Sequence, residues 1–197
     1  MIQERNMQLA NLFSTPILTY EVPSNLADEV ENIFLARQSD LNNMDVCYGD
    51  WWDEKGIFDF EKDLPDLFEE FIECKNAFYT DTGFKTDTIF QSWTQDYNKE
   101  GHSHPRHQHG INGISGVYWI RANEKASDLV FYNPNKIIDY ITYDFRTQFN
   151  SPIYKIKPKK GTVVMFPSYI EHEVTPTPAG TIRTTIAFNF QLQSYQN

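Results

Sequence analysis

Along residues 182–192 the side chains fall into two alternating sets. Ile182, Thr184, Ile186, Phe188 and Phe190 share one face, and Arg183, Thr185, Ala187 and Asn189 share the other. A period of two over that length predicts a β-strand whose two sides meet different surroundings. From about residue 88 the whole chain has this texture, as short segments rich in aromatic and β-branched residues separated by Gly, Pro and Asn clusters. The expected strands are 88–97, 113–121, 129–132, 153–157, 162–166, 170–174 and 182–192, so the second half is a β structure. The first half reads differently. Residues 12–22 are β-like, and Pro23-Ser24 then opens an amphipathic helix through Leu26, Val30, Ile33 and Phe34. A second helix follows Asp63, with Pro65 in its first turn, Leu67, Phe68, Phe71, Ile72 and Phe78 near a 3.6-residue period, and Gly83 at its end. These helices are expected to back one face of the β structure. Residues 133–151 lack a strand signal but carry Tyr140, Tyr143 and Phe145, which suits either a lid over a site or a packed surface excursion.

A chain of 197 residues with 40% hydrophobic and 22% charged residues fits one self-folding domain. It divides into a helical support region, 1–87, and a β core, 88–197. Net charge is −10, which disfavours attraction to nucleic-acid phosphates or an anionic membrane surface. No apolar run approaches the roughly 18 residues a membrane helix needs, and Glu4, Arg5 and Asn6 precede any apolar stretch, so a cytoplasmic protein is expected. Cys47 and Cys74 form no CxxC pair and read as ordinary thiols. The expected partner is a small-molecule or peptide substrate, and the aromatic content leaves room for a homodimer interface.

The sequence has five histidines, four of which, His102, His104, His107 and His109, lie within eight positions. Gly101 and Pro105 around the first pair read as turn, and a polar loop is the plainer account of His102 and His104. His107 and His109 are two apart, so in an extended segment both imidazoles face one point. Neutral imidazoles bind Fe, Zn, Cu or Ni, and three protein ligands with open positions mark a catalytic metal site. His172 is the candidate third ligand, provided that the β structure folds back on itself. Eleven positions later comes Arg183, which with Thr185 could grip a carboxylate through a guanidinium fork and a hydroxyl, although a solvated strand face is the plain alternative.

These residues resemble the 2-oxoglutarate and Fe(II)-dependent oxygenases. In that superfamily an HxD or HxE pair and a distal His bind iron, and an Arg or Lys about ten residues after the distal His binds the far carboxylate of 2-oxoglutarate. His107, His109, His172 and Arg183 match these places, and Arg183 with Thr185 is similar to the Arg-x-Ser pair of prolyl-hydroxylase-type members. A bacterial and phage subfamily is closer still. Its "LFSTPI"-like opening, its HxH before a Ser-Gly-Val-Tyr strand and its Gly-x-x-x-x-Phe-Pro-Ser segment match residues 12–17, 107–118 and 161–172. The resemblance implies a mostly β fold, a double-stranded β-helix of the jelly-roll or cupin-like kind with the N-terminal helices on one face. It also implies Fe(II), 2-oxoglutarate as cosubstrate and dioxygen, in a dioxygenase that hydroxylates a small molecule or a peptide side chain. Metal would sit on His107, His109 and His172, and the cosubstrate would meet Arg183, Thr185, Ser115, Trp119 and Asn189. Ser115, Val117 and Trp119 alternate along their strand toward the pocket, with Tyr118 on the opposite side. The chain departs from the wider superfamily at His109, where a carboxylate is usual. That keeps the ligand count and removes one negative charge.

Two other readings fit part of the pattern. A cupin-type metal enzyme that does not use 2-oxoglutarate matches Gly101, His107-x-His109, Gly161, Pro167 and His172. It lacks the expected Glu after the HxH, where Gly113 and Ile114 stand, carries Tyr169 where a Gly is usual, and leaves Arg183 without a task. A non-catalytic β-helix scaffold would leave the histidines without a fixed role.

Overall fold

The computed structural model describes residues 14–38, 44–46, 49–53, 60–85, 89–111, 113–147 and 149–191. Cys47 and the first two residues of the LFSTPI-like opening lie outside them.

Strand β1 (Leu18–Glu21) leads into helix α1 (Ser24–Gln38), then strands β2 (Met44–Val46) and β3 (Gly49–Asp53), a short helix α2 (Phe60–Asp63) and helix α3 (Pro65–Thr82). Pro65 occupies the first turn of α3, and Gly83 ends it in the left-handed conformation (φ 74°), its N–H donating to the Tyr79 carbonyl. The remaining strands are β4 (Ile89–Asp96), β5 (His104–His107), β6 (Gly113–Ala122), β7 (Leu129–Tyr132), β8 (Ile153–Ile156), β9 (Thr162–Pro167), β10 (His172–Val174) and β11 (Arg183–Gln191). They pair antiparallel in two sheets, ordered β1-β9-β6-β11-β4-β3-β2 and β5-β10-β7-β8. This is a jelly roll in three layers: helices, large sheet, small sheet.

Alternation in the large sheet makes two cores. The outer faces of β6, β9 and β11, through Ile114, Tyr118, Met165, Ile186, Phe188 and Phe190, pack against Val30 and Phe34 of α1 and Leu67, Phe71 and Phe78 of α3. The inner faces of β6 and β9, through Val117, Trp119, Val164 and Phe166, pack against Leu129 and Phe131 of the small sheet. Phe71 stacks on Phe188 with ring centroids 4.3 Å apart, which ties α3 to the middle of β11.

His104 and Pro105, read from sequence as turn, belong to strand β5 together with His107. Pro105 has no N–H to give, and β5 lies at the edge of its sheet, where one side needs no partner. Strands β2 and β3 were also not expected. Residues 133–151 form a surface excursion containing a 3₁₀ turn (Lys136–Tyr140), with Tyr140 and Phe145 exposed. The sequence alternatives were a lid and a packed excursion.

Candidate metal centre and carboxylate pocket

Antiparallel pairing of β5 with β10 sets His107 directly opposite His172. His109 follows in the loop beyond β5, where its backbone N–H donates to the Ser168 carbonyl at 2.9 Å and holds that loop against the turn before β10. The side-chain ligand atoms of the three histidines lie within 4.8 Å of one another. In two of the rings the available nitrogen is set by the backbone. His107 Nδ1 donates to the Pro105 carbonyl at 2.7 Å, and His172 Nδ1 to the Ile170 carbonyl at 2.9 Å. A carbonyl only accepts, so each Nδ1 carries the proton and each Nε2 keeps a lone pair for an ion.

Burial drives these imidazoles toward the neutral form. It pushes the pKa of His172 down to about 3 and that of His109 to about 4, with the neighbouring histidines adding to the effect, and it lowers that of His107. Neutral imidazole is the form that binds metal. Phe131 and Phe166 flank His172, with ring centroids at 6.1 and 4.8 Å. Three neutral nitrogen donors facing one point fit a divalent transition metal such as iron.

The histidines border a cavity between the sheets. Arg183, at the start of β11, lies in its wall and is only 1% exposed. Its guanidinium carbon sits 4.4 Å from the centroid of the Tyr97 ring, and its Nε and Nη1 have no hydrogen-bond partner. Burial lowers its pKa, but a guanidinium starts far enough above neutrality to stay charged. Among the described residues, no Asp or Glu lines the cavity. A buried cation with free donors and no counter-ion is costly by itself and fits an anionic ligand, above all a carboxylate.

Other residues singled out in the sequence fall at different depths. Thr185 and Ser115 line the cavity. The Ser115 hydroxyl donates to Asn189 Oδ1 at 2.7 Å and lies 2.9 Å from the Ser168 hydroxyl, while Asn189 stands behind it. Trp119 faces inward, as its alternation predicts, yet it packs in the inter-sheet core and not in the cavity wall. Tyr118 faces the helices. The bulge in β6 falls at Ile120, past the residues that face the cavity, so it does not exchange their sides.

Among the cavity residues that sequence reasoning missed, four carry polar or aromatic chemistry next to Arg183 and the histidines. Trp93, Gln95 and Tyr97 alternate along and just beyond β4, a period-two row visible in the sequence but read only as a strand. His104, assigned to a polar loop, lines the cavity and stacks on His107 with centroids 4.0 Å apart and rings 11° from parallel. Its Nδ1 lies 3.4 Å from the Tyr97 hydroxyl. His102, in the turn before β5, contacts the Asp96 carbonyl instead.

The family model described as "Putative 2OG-Fe(II) oxygenase" matches residues 91–189, half of the chain, a span that contains all three histidines and Arg183. The chain belongs to the 2OG-Fe(II) oxygenase family. The oxygenase therefore uses Fe(II), 2-oxoglutarate and dioxygen. Solved structures share its fold. A Pseudomonas putida prolyl-4-hydroxylase superposes with a TM-score of 0.66 at 15% identity, covering 93% of this chain and 96% of that one. A Trichoplax adhaerens prolyl hydroxylase in complex with a hypoxia-inducible-factor peptide fragment gives 0.60 at 15% identity over 91% and 85%. A viral collagen prolyl hydroxylase from Paramecium Bursaria Chlorella virus-1, in a 2-oxoglutarate complex, gives 0.59 at 12% over 90% and 96%. At such identities the likeness is one of fold. No curated protein matches the sequence. No helix among the described residues is long and apolar enough to cross a membrane.

Proposed function

We propose that the oxygenase holds Fe(II) on His107, His109 and His172, receives the far carboxylate of 2-oxoglutarate at Arg183 with help from the Thr185 hydroxyl, and hydroxylates a small molecule or a peptide side chain in the cytoplasm. The observation that carries this reading is the buried Arg183 guanidinium, with Nε and Nη1 unpartnered, in the same cavity as three convergent histidines. Bound iron with 2-oxoglutarate and dioxygen supplies the oxidising equivalents.

The chain's own residues bind, orient and exclude water. The Pro105 and Ile170 carbonyls hold two of the imidazoles in one tautomer and one orientation before metal arrives. Arg183 fixes one end of the dicarboxylate at a set distance from the histidines, which determines which end faces the metal. Phe131 and Phe166 keep bulk water from the His172 side. Ser115, held by Asn189, offers a hydroxyl at the cavity wall. A cupin-type reading without 2-oxoglutarate leaves the burial of Arg183 unexplained.

The test is to titrate 2-oxoglutarate anaerobically into the iron-loaded protein and then to measure succinate on admitting air. One equivalent bound, followed by succinate, is expected. Iron uptake with no 2-oxoglutarate binding would overturn the proposal.

A further inference from the structure

Among the described residues, one side chain in the cavity wall besides Arg183 is buried with donors that nothing receives. Gln95 is 2% exposed and lies opposite Thr185 in the β4–β11 register. Its Oε1 accepts two hydrogen bonds, from Trp93 Nε1 at 3.3 Å and from the Tyr97 hydroxyl at 3.0 Å. An indole N–H can only donate, so the amide cannot be turned around without setting donor against donor. The oxygen is thereby held toward Trp93 and Tyr97, and Nε2 of this cavity-lining residue has no partner. A buried amide nitrogen left in that state is destabilising unless a ligand supplies an acceptor.

The row along β4 shows which ligand. Tyr97 is the residue over whose ring Arg183 lies, and Trp93 is 5.7 Å, ring to ring, from His109. Successive same-face residues on a strand are about 7 Å apart, so Gln95 occupies the step between the carboxylate anchor and the histidines. An extended dicarboxylate held at both ends must pass it.

We propose that Gln95 recognises the cosubstrate, its Nε2 donating to an oxygen of the 2-oxo acid, and that Trp93 and Tyr97 are positioning residues that fix the amide with its donor side toward the ligand. The proposal rests on the reading of Arg183 and the three histidines given above. It also accounts for the indole at position 93, since an inverted amide would press its oxygen against an anion.

The experiment uses Mn(II)-loaded protein and 2-oxoglutarate, with Mn(II) affinity and thermal melting measured separately. Gln95→Met keeps the length of the side chain and removes the donors. It should weaken 2-oxoglutarate binding about 10- to 100-fold, the range for a hydrogen bond to a charged group, while Mn(II) affinity and melting stay near wild type. Trp93→Phe, which frees the amide to invert, should weaken the same binding by about threefold to tenfold. Unchanged 2-oxoglutarate affinity in both variants would overturn the proposal, as would a parallel loss of Mn(II) binding or of cooperative melting, which would mark Gln95 as merely structural. Wild-type protein that takes up Mn(II) but not 2-oxoglutarate would overturn the reading beneath it as well, so the two failures are distinguishable.

Discussion

In the proposed reading Arg183 anchors an anion and His172 holds metal, and substitution should separate the two. Arg183→Ala removes a charge-assisted pair from a dry pocket, so 2-oxoglutarate affinity should fall by about 2–4 kcal/mol with iron content unchanged, as read by anaerobic titration alongside metal analysis. His172→Ala should lose the iron itself. The histidines also set how stability depends on pH. An unfolded His titrates near 6.5, whereas His172 folded titrates at about 3 and His109 at about 4, so the folded state resists protonation and the unfolded state does not. Their contribution is neutral above about pH 6.5 and turns destabilising as pH falls through that value toward the folded ones. Metal-free protein should therefore lose about 2 kcal/mol from His172 alone between about pH 7.5 and pH 5. Denaturant midpoints at the two pH values, with His172→Gln giving the shallower change, check this.

Among the elements, β6 and β11 depend on each other at one cross-strand pair. Gly116 lies opposite Phe188, and a Cβ there would fall 2.2 Å from Cζ of that ring. That ring is also stacked on Phe71, which limits its freedom to move. Gly116→Ala should cost about 1–3 kcal/mol as overpacking, visible as a lowered midpoint of chemical unfolding. The same two strands show what the sequence could and could not reveal. The two faces of β11 were legible because a period of two survives any packing, and Arg183, Thr185 and Ala187 do line the cavity. Alternation gives the side of a sheet and not the depth along it. Trp119 accordingly faces the correct way but is covered by Leu129 and its neighbours in the inter-sheet core. Strand β5 was missing from the expected strands although His107 was read in an extended segment, because four residues containing a proline carry no periodic signal. Its extended form comes from pairing with β10, a contact between residues 65 positions apart at His107 and His172. His104 was lost with it, and Gln95 was overlooked because an amide in a strand becomes informative only once its partners are known.

For the molecule as a whole, three layers are held by two cores, and the layers contribute differently to the centre. The large sheet, braced by α1 and α3, supplies Arg183 and Gln95 from long strands with neighbours on both sides, and Tyr97 from just beyond β4. The small sheet supplies His107 and His172, while His109 hangs from the loop that joins the two sheets. The Pseudomonas putida prolyl-4-hydroxylase shares this fold over nearly the whole chain at 15% identity, so the fold tolerates wide change in sequence. Strand β5 has a single neighbour, β10, so His107 rides on the outermost ribbon of the smaller sheet. Outer ribbons open first in native-state fluctuations, and an ion gripped from both sides of that seam would act as a latch across it. Stripping the metal with a chelator should speed amide exchange at residues 104–109 and 172–174 far more than in β6 or β11, and restoring Fe(II) should reverse the change. The centre would then be fastened by its own cargo, so that iron supply governs how tightly this flap of the protein stays shut.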